Sequence, residues 1–139
     1  MELYKPLSVI IVDDDQDDRE LLNFLFTKNS SFKIVGCFDS GLEVLEEIIT
    51  KRNVPDVLII DMYMPFLTGT EVLQKLLVSK VAPNMTTFII STNINVTEED
   101  KHIGNLAVKF IKKPVTLAEI NDLPGSLLEC LNYRNNTRV

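Results

Sequence analysis

Short unbroken runs of aliphatic residues alternate along this chain with longer stretches in which apolar residues recur every three or four positions. Ser8-Val9-Ile10-Ile11-Val12, Val57-Leu58-Ile59-Ile60, Phe88-Ile89-Ile90 and Val108 to Ile111 are runs of the first kind. Such runs read as strands buried on both faces. Phe32 to Cys37, centred on Ile34 and Val35, reads as a further strand. The stretches between have helical spacing. Asp17 to Lys28 carries Leu21, Leu22, Leu25 and Phe26, and Asn29-Ser30-Ser31 breaks it. Ser40-Gly41 opens a helix with Leu42, Val44, Leu45, Ile48 and Ile49, closed by Asn53-Val54-Pro55. A third helix follows Gly69 with Val72, Leu73, Leu76 and Leu77, and Ala82-Pro83-Asn84 ends it. Thr97-Glu98-Glu99-Asp100 has the form of an N-cap with acids in the first turn, opening a short helix that ends near Leu106. The last helix starts near Thr116. Pro124, within Asp122-Leu123-Pro124-Gly125, predicts a kink or a restart there, because proline removes a helical hydrogen bond and crowds the preceding turn.

Five strand-then-helix units predict an α/β fold: a doubly wound, five-stranded parallel sheet with helices on both faces. The 139 residues predict one domain, 1–139, with its core over about 7–132 and a polar, flexible tail over 133–139. In such sheets ligands sit beyond the carboxyl ends of the strands, at the point where the strand order reverses.

Composition narrows the function. No apolar run approaches the roughly 20 residues that span a bilayer, and the N-terminus lacks a signal-peptide layout. Cys37 and Cys130 are far apart and are expected as reduced core thiols in a cytoplasmic protein. Net charge is −6, with no basic cluster larger than Lys112-Lys113, so direct nucleic-acid binding is not expected. One histidine and no phosphate-loop glycine motif exclude zinc sites and nucleotide-triphosphate loops.

The chemistry-bearing residues fall just after strands. Asp13-Asp14-Asp15 follow the first, Asp61 the third, Ser91-Thr92 the fourth and Lys113-Pro114 the fifth. Carboxylates gathered at one sheet mouth repel one another unless a cation neutralises them, and a hard divalent ion such as Mg²⁺ takes such oxygen ligands. Lys113 adds a positive charge and Ser91 a hydroxyl. The set suits a phosphoryl group at Asp61, because phosphoryl transfer is mostly positioning and charge neutralisation, and a carboxylate can be the nucleophile.

These residues, in this order, resemble the receiver domain of bacterial response regulators. The matching stretches are Val12-Asp13-Asp14, Asp61-Met62-Tyr63-Met64-Pro65 with Gly69, Ser91-Thr92, and Lys113-Pro114 with Phe110. The resemblance implies the flavodoxin-like strand order 2-1-3-4-5, which spacing alone does not supply. It implies Asp61 as phosphoacceptor and Asp13 and Asp14 as the acid pair for Mg²⁺, with Asp14 the direct ligand and the backbone carbonyl of Tyr63 another. It implies that Ser91 and Lys113 contact the phosphoryl group, that Phe110 switches rotamer with Ser91, and that the Lys113–Pro114 bond is cis. The phosphodonor would be a histidine of a sensor kinase or of a histidine phosphotransfer protein. Output would go to a protein target or onward through a phosphorelay, from a stand-alone receiver that is a stoichiometric acceptor and not an enzyme of many turnovers.

Each motif has a plainer reading alone. Asp13 to Asp15 could be helix-start acids, Asp61 a turn, Ser91-Thr92 a loop cap and Lys113-Pro114 a solvated turn. Their joint arrival at four strand ends favours a site. Asp15, Asp17 and Asp18 read as plain helix-start acids, and His102 as a solvated surface residue. Tyr63 is bulky at a position that flanks the attacking water in the family, with Asn93 as the other flanking residue, so shielding by Tyr63 would tune the phosphoryl lifetime. Leu106 stands where a small residue is usual. Three competing functions bear on the same residues. A haloacid-dehalogenase-like phosphatase would use Asp13-x-Asp15, but Asp17 stands where that motif has Thr or Val. A flavin-binding module would need a Ser/Thr-rich loop where this chain has acids. A phosphorylation-independent pseudo-receiver would not need the complete set.

Overall fold

The computed structural model describes residues 5–92 and 107–137, with side chains as far as 131. Within them five strands form one parallel sheet in the order β2-β1-β3-β4-β5. The strands are β1 (Leu7–Val12), β2 (Phe32–Phe38), β3 (Val57–Asp61), β4 (Thr86–Ser91) and β5 (Ala107–Lys112). The helices are α1 (Gln16–Lys28), α2 (Gly41–Leu45, continuing as a π turn over Glu46–Thr50), α3 (Gly69–Ser79) and α4 (Leu117–Thr137). The expected helix opening at Thr97, with Asn93, His102 and Leu106, lies outside the described residues.

The central strands β1 and β3 are nearly continuous apolar runs because the sheet is covered on both sides, while the edge strands β2 and β5 carry Lys33 and Lys109 and are only half-buried. Period-two alternation sends Ile10, Val12, Leu58, Ile60 and Ile89 to one face, where they pack with Val44 and Ile48 of α2 and Val72, Leu73 and Leu76 of α3. Val9, Ile11, Val57, Ile59, Phe88 and Ile90 go to the other face, against Leu22, Leu25 and Phe26 of α1 and Leu123, Leu127 and Leu131 of α4. Phe26 and Phe32 meet edge to face at 5.0 Å.

Caps fix where the helices begin. Asp15 accepts from the Asp18 amide at α1, and Ser40 accepts from the Glu43 amide at α2. Thr68 and Glu71 form a complete capping box at α3. Each satisfies amides that the first turn leaves without partners.

Of the kink or restart expected at Pro124, the restart does not occur: α4 is one helix with Pro124 inside it. Its stripe of Leu123, Leu127 and Leu131 is buried, and burying side chains of this size stabilises by about 1.5–3 kcal/mol each. That outweighs the roughly 3 kcal/mol cost of an interior proline. The same helix continues to Thr137. Cys37, expected in the core, is exposed on the edge strand β2, and Cys130 is half-buried. No helix among the described residues is long and apolar enough to cross a membrane.

Candidate functional site

The chain runs from β1 outward to β2, then returns to place β3 on the other side of β1. The crevice between the carboxyl ends of β1 and β3 is therefore the reversal point, where ligands settle in this architecture. Asp13 follows β1 and Asp61 ends β3.

Main-chain bonds hold both strand ends. The Asp13 amide donates to Phe38 O at 3.1 Å, and the Met62 amide to Ile90 O at 2.8 Å. The Asp13 side chain is 2% exposed and its Oδ1 accepts from the Asp15 amide at 3.0 Å. Arg19 donates to the Asp13 carbonyl at 2.8 Å. Gly69 closes the loop after β3. Its amide donates to Met62 O at 2.8 Å, and a β-carbon on it would stand 2.8 Å from the Asp61 carbonyl oxygen.

The carboxylate oxygens of Asp13, Asp14 and Asp61 lie within 4.8 Å of one another. Lys113, on the segment after β5, reaches across with its ammonium 3.3 Å from Asp13, 4.0 Å from Asp61 and 2.6 Å from Asp18. The Lys113 amide donates to Ser91 O at 2.7 Å, which ties the ends of β4 and β5 together. Ser91 is buried and Thr92 is exposed.

Burial pushes Asp61 up to about 6; Lys113 and the Tyr63 amide oppose this, while the charges of Asp13 and Asp14 add to it. Asp13 is also raised, first by burial, against the Asp15 amide and Lys113. Burial pulls Lys113 down, but the bond to Asp18 and the charges of Asp13 and Asp61 leave it above its ordinary value. A single ammonium thus leaves the acids under-compensated, and an oxygen-only donor set of this kind fits a hard divalent cation.

The structure brings together Asp13, Asp14, Asp61 and Lys113, with Ser91 beside Lys113. Tyr63 lies on the loop after β3, its amide on the Asp61 carboxylate and its side chain 54% exposed. Phe110 sits opposite Ile89 and is half-buried against the α2–α3 side of the core. The Lys113–Pro114 bond is trans, against the cis form that the resemblance implied: no described peptide bond is cis. The trans form is intrinsically favoured by about 0.5–1 kcal/mol before proline, and Lys113 reaches the pocket in it. Asp15 is committed to capping α1, so it does not supply the second acid of a phosphatase-type pair. Asp18 is more than the helix-start acid that the sequence suggests: among the described residues it is the closest carboxylate to Lys113. Its place in the first turn carried the signal, since helical side chains lean toward the helix N-terminus, here the site. Arg19, one position on, was likewise not singled out.

The family model for the response regulator receiver domain matches residues 9–123. Sporulation initiation phosphotransferase F of Bacillus subtilis is 31% identical, over 82% of this chain and 87% of its own. A protein-glutamate methylesterase/protein-glutamine glutaminase of Myxococcus xanthus is 30% identical over 92% of this chain; the chain spans about a third of the length of such methylesterase relatives. The response regulator domain of CheB from Thermotoga maritima superposes with a TM-score of 0.73 at 28% identity, covering 93% of this chain and 96% of that one.

Proposed function

The chain belongs to the response regulator receiver domain family, and from that membership we propose that Asp61 accepts a phosphoryl group from a phosphohistidine of a sensor kinase or histidine phosphotransfer protein. The observation that carries this reading is the meeting of Asp13, Asp14 and Asp61 within 4.8 Å, with the Lys113 ammonium 4.0 Å from Asp61.

An Asp61 carboxylate oxygen attacks phosphorus. The Asp61 O–P bond forms as the P–N bond to the donor imidazole breaks, and the bonding electron pair stays on the imidazole. Lys113 moves from the carboxylates to the phosphoryl oxygens, where an ammonium offsets the charge of the transferring group. The Ser91 hydroxyl donates to another of those oxygens. Asp13, Asp14, Asp61 and the Tyr63 carbonyl would hold Mg²⁺, which when bound supplies the positive charge that the acids lack. Hydrolysis removes the group: water oxygen bonds to phosphorus as the Asp61 O–P bond breaks, the electron pair returns to the carboxylate, and inorganic phosphate leaves with the protons of water shared between it and solvent. Tyr63 limits access of that water.

The acyl phosphate then shifts an equilibrium between two conformations, with Ser91 and Phe110 as the moving parts, and the favoured face binds a protein target or the group passes to another histidine. As a stoichiometric acceptor the protein does not turn over a phosphomonoester. The position of the domain is cytoplasmic in this reading, where kinase and target would meet it.

The test is labelling by acetyl phosphate with Mg²⁺, read by intact mass. Wild type gains one phosphoryl group and Asp61→Asn gains none. Label that survives the substitution, or a wild type that never labels, overturns the assignment.

A further inference from the structure

Lys113 is the residue that must meet a phosphoryl group on Asp61, yet it stands closer to a different carboxylate. Its ammonium is 2.6 Å from Asp18 and 3.3 Å from Asp13, against 4.0 Å from Asp61. Asp18 is well placed to keep it. The Asp18 amide donates to Asp15 Oδ1 at 2.9 Å, so the cap fixes the first turn of α1 on which this carboxylate rides. Charge-assisted bonds of this length are the stronger kind. The Lys113 side chain is 18% exposed and that of Asp18 40%, so one partner is partly shielded and the other wetted. Such a pair holds a long side chain in place without locking it.

We propose that Asp18 is a positioning residue that parks the Lys113 ammonium on α1, away from Asp61, until an incoming phosphoryl group draws it off, so that the first turn of α1 sets how readily Asp61 is phosphorylated. The inference rests on the acceptor role of Asp61 given above. A ligand that needs Lys113 must displace it from Asp18, and every bond that stabilises the parked state lowers the population ready to react. Asp17 is the natural comparison. It carries the same charge in the same turn, is exposed, and makes no ion pair with Lys113.

The test compares initial labelling rates by acetyl phosphate with Mg²⁺. Asp18→Asn should label about two- to fivefold faster than wild type, the range expected for loss of a partly exposed ion pair, while Asp17→Asn labels at the wild-type rate. In a Lys113→Ala background, Asp18→Asn should give no further gain, since a residue acting through another has no effect once that partner is gone. An equal gain in both backgrounds means that Asp18 acts by direct repulsion and overturns the proposal. So does an unchanged or slower Asp18→Asn, or a matching gain from Asp17→Asn. A wild type that never labels overturns the acceptor reading instead. A crystal structure of unphosphorylated Asp18→Asn then decides the parking alone: an ammonium moved toward Asp61 supports it, and one left in place overturns it.

Discussion

Gly69 meets Asp61 backbone to backbone: a β-carbon on Gly69 would stand 2.8 Å from the Asp61 carbonyl oxygen and 3.3 Å from the Met62 α-carbon. Neither atom belongs to a flexible side chain, so neither yields without moving the loop that carries the acceptor. Gly69→Ala should lower stability by about 1–3 kcal/mol, the range for forced overpacking. It should also slow acetyl-phosphate labelling more than tenfold, because misplacing a reacting group by about an ångström is costly. Urea unfolding and intact-mass labelling check the two effects. A variant that labels at the wild-type rate would show that the contact does not position Asp61.

The acids make stability depend on pH in a stated direction. In EDTA, Asp61 is held at about 6, above the usual 3.8. The folded chain therefore binds this proton more tightly than the unfolded chain. The resulting stability is fully present below 3.8, is lost as pH rises toward 6, and stays lost above. Asp61→Asn should then exceed wild type by on the order of 3 kcal/mol at pH 7.5 and by little at pH 3.5, from the worth of a pKa difference of this size. Urea midpoints at the two pH values measure it. An equal advantage at both would remove ionisation of Asp61 as the cause.

Metal should act on the same penalty. Adding Mg²⁺ at pH 7.5 is expected to raise the melting temperature of wild type and to do much less for Asp13→Asn, since a ligand that binds the folded state stabilises it in proportion to its occupancy. Removing the metal with EDTA should abolish labelling. Labelling at full rate in EDTA would exclude a part for the divalent ion.

Tyr63 offers a test of lifetime. Its side chain is 54% exposed on the loop beside Asp61, so it can cover the path of water without being part of the core. Tyr63→Asn should shorten the half-life of the phosphorylated protein, followed as loss of mass after the donor is removed, with little change in urea midpoint. An unchanged half-life would sink the shielding idea.

Thr87 carries a cost with no visible return. It is fully buried in β4 and its hydroxyl has no hydrogen-bond partner among the described residues. Leaving a buried hydroxyl unsatisfied costs about 1–3 kcal/mol. Thr87→Val, close to it in shape, should stabilise by a similar amount, seen as a higher urea midpoint. A drop in stability would mean that the hydroxyl is satisfied after all.

What the sequence made legible follows from burial. Val9 to Val12 and Val57 to Ile60 are apolar without interruption because helices cover both faces, so strands and helices could be told apart from pattern. The ends of those runs carried the site for the same reason, since polar residues there can only face the mouth of the sheet. Strand order did not follow from pattern and came through the resemblance. The continuity of α4 through Pro124 was not legible locally, because it depends on the buried leucines that flank the proline. Asp18 was passed over because its helix-start place already explained its charge, and only the position of Lys113 gave it a second use. The π turn at Glu46–Thr50 left no mark that the apolar spacing of Ile48 and Ile49 could reveal.

The bond from the Lys113 amide to the Ser91 carbonyl uses main-chain atoms on both sides. The hydroxyl and the ammonium are thus stitched together by groups that no substitution at position 91 removes. Trimming Ser91 to alanine takes away one donor and leaves the seat of the other intact. The two residues share one backbone link, and their contributions to holding an anion can be varied one at a time.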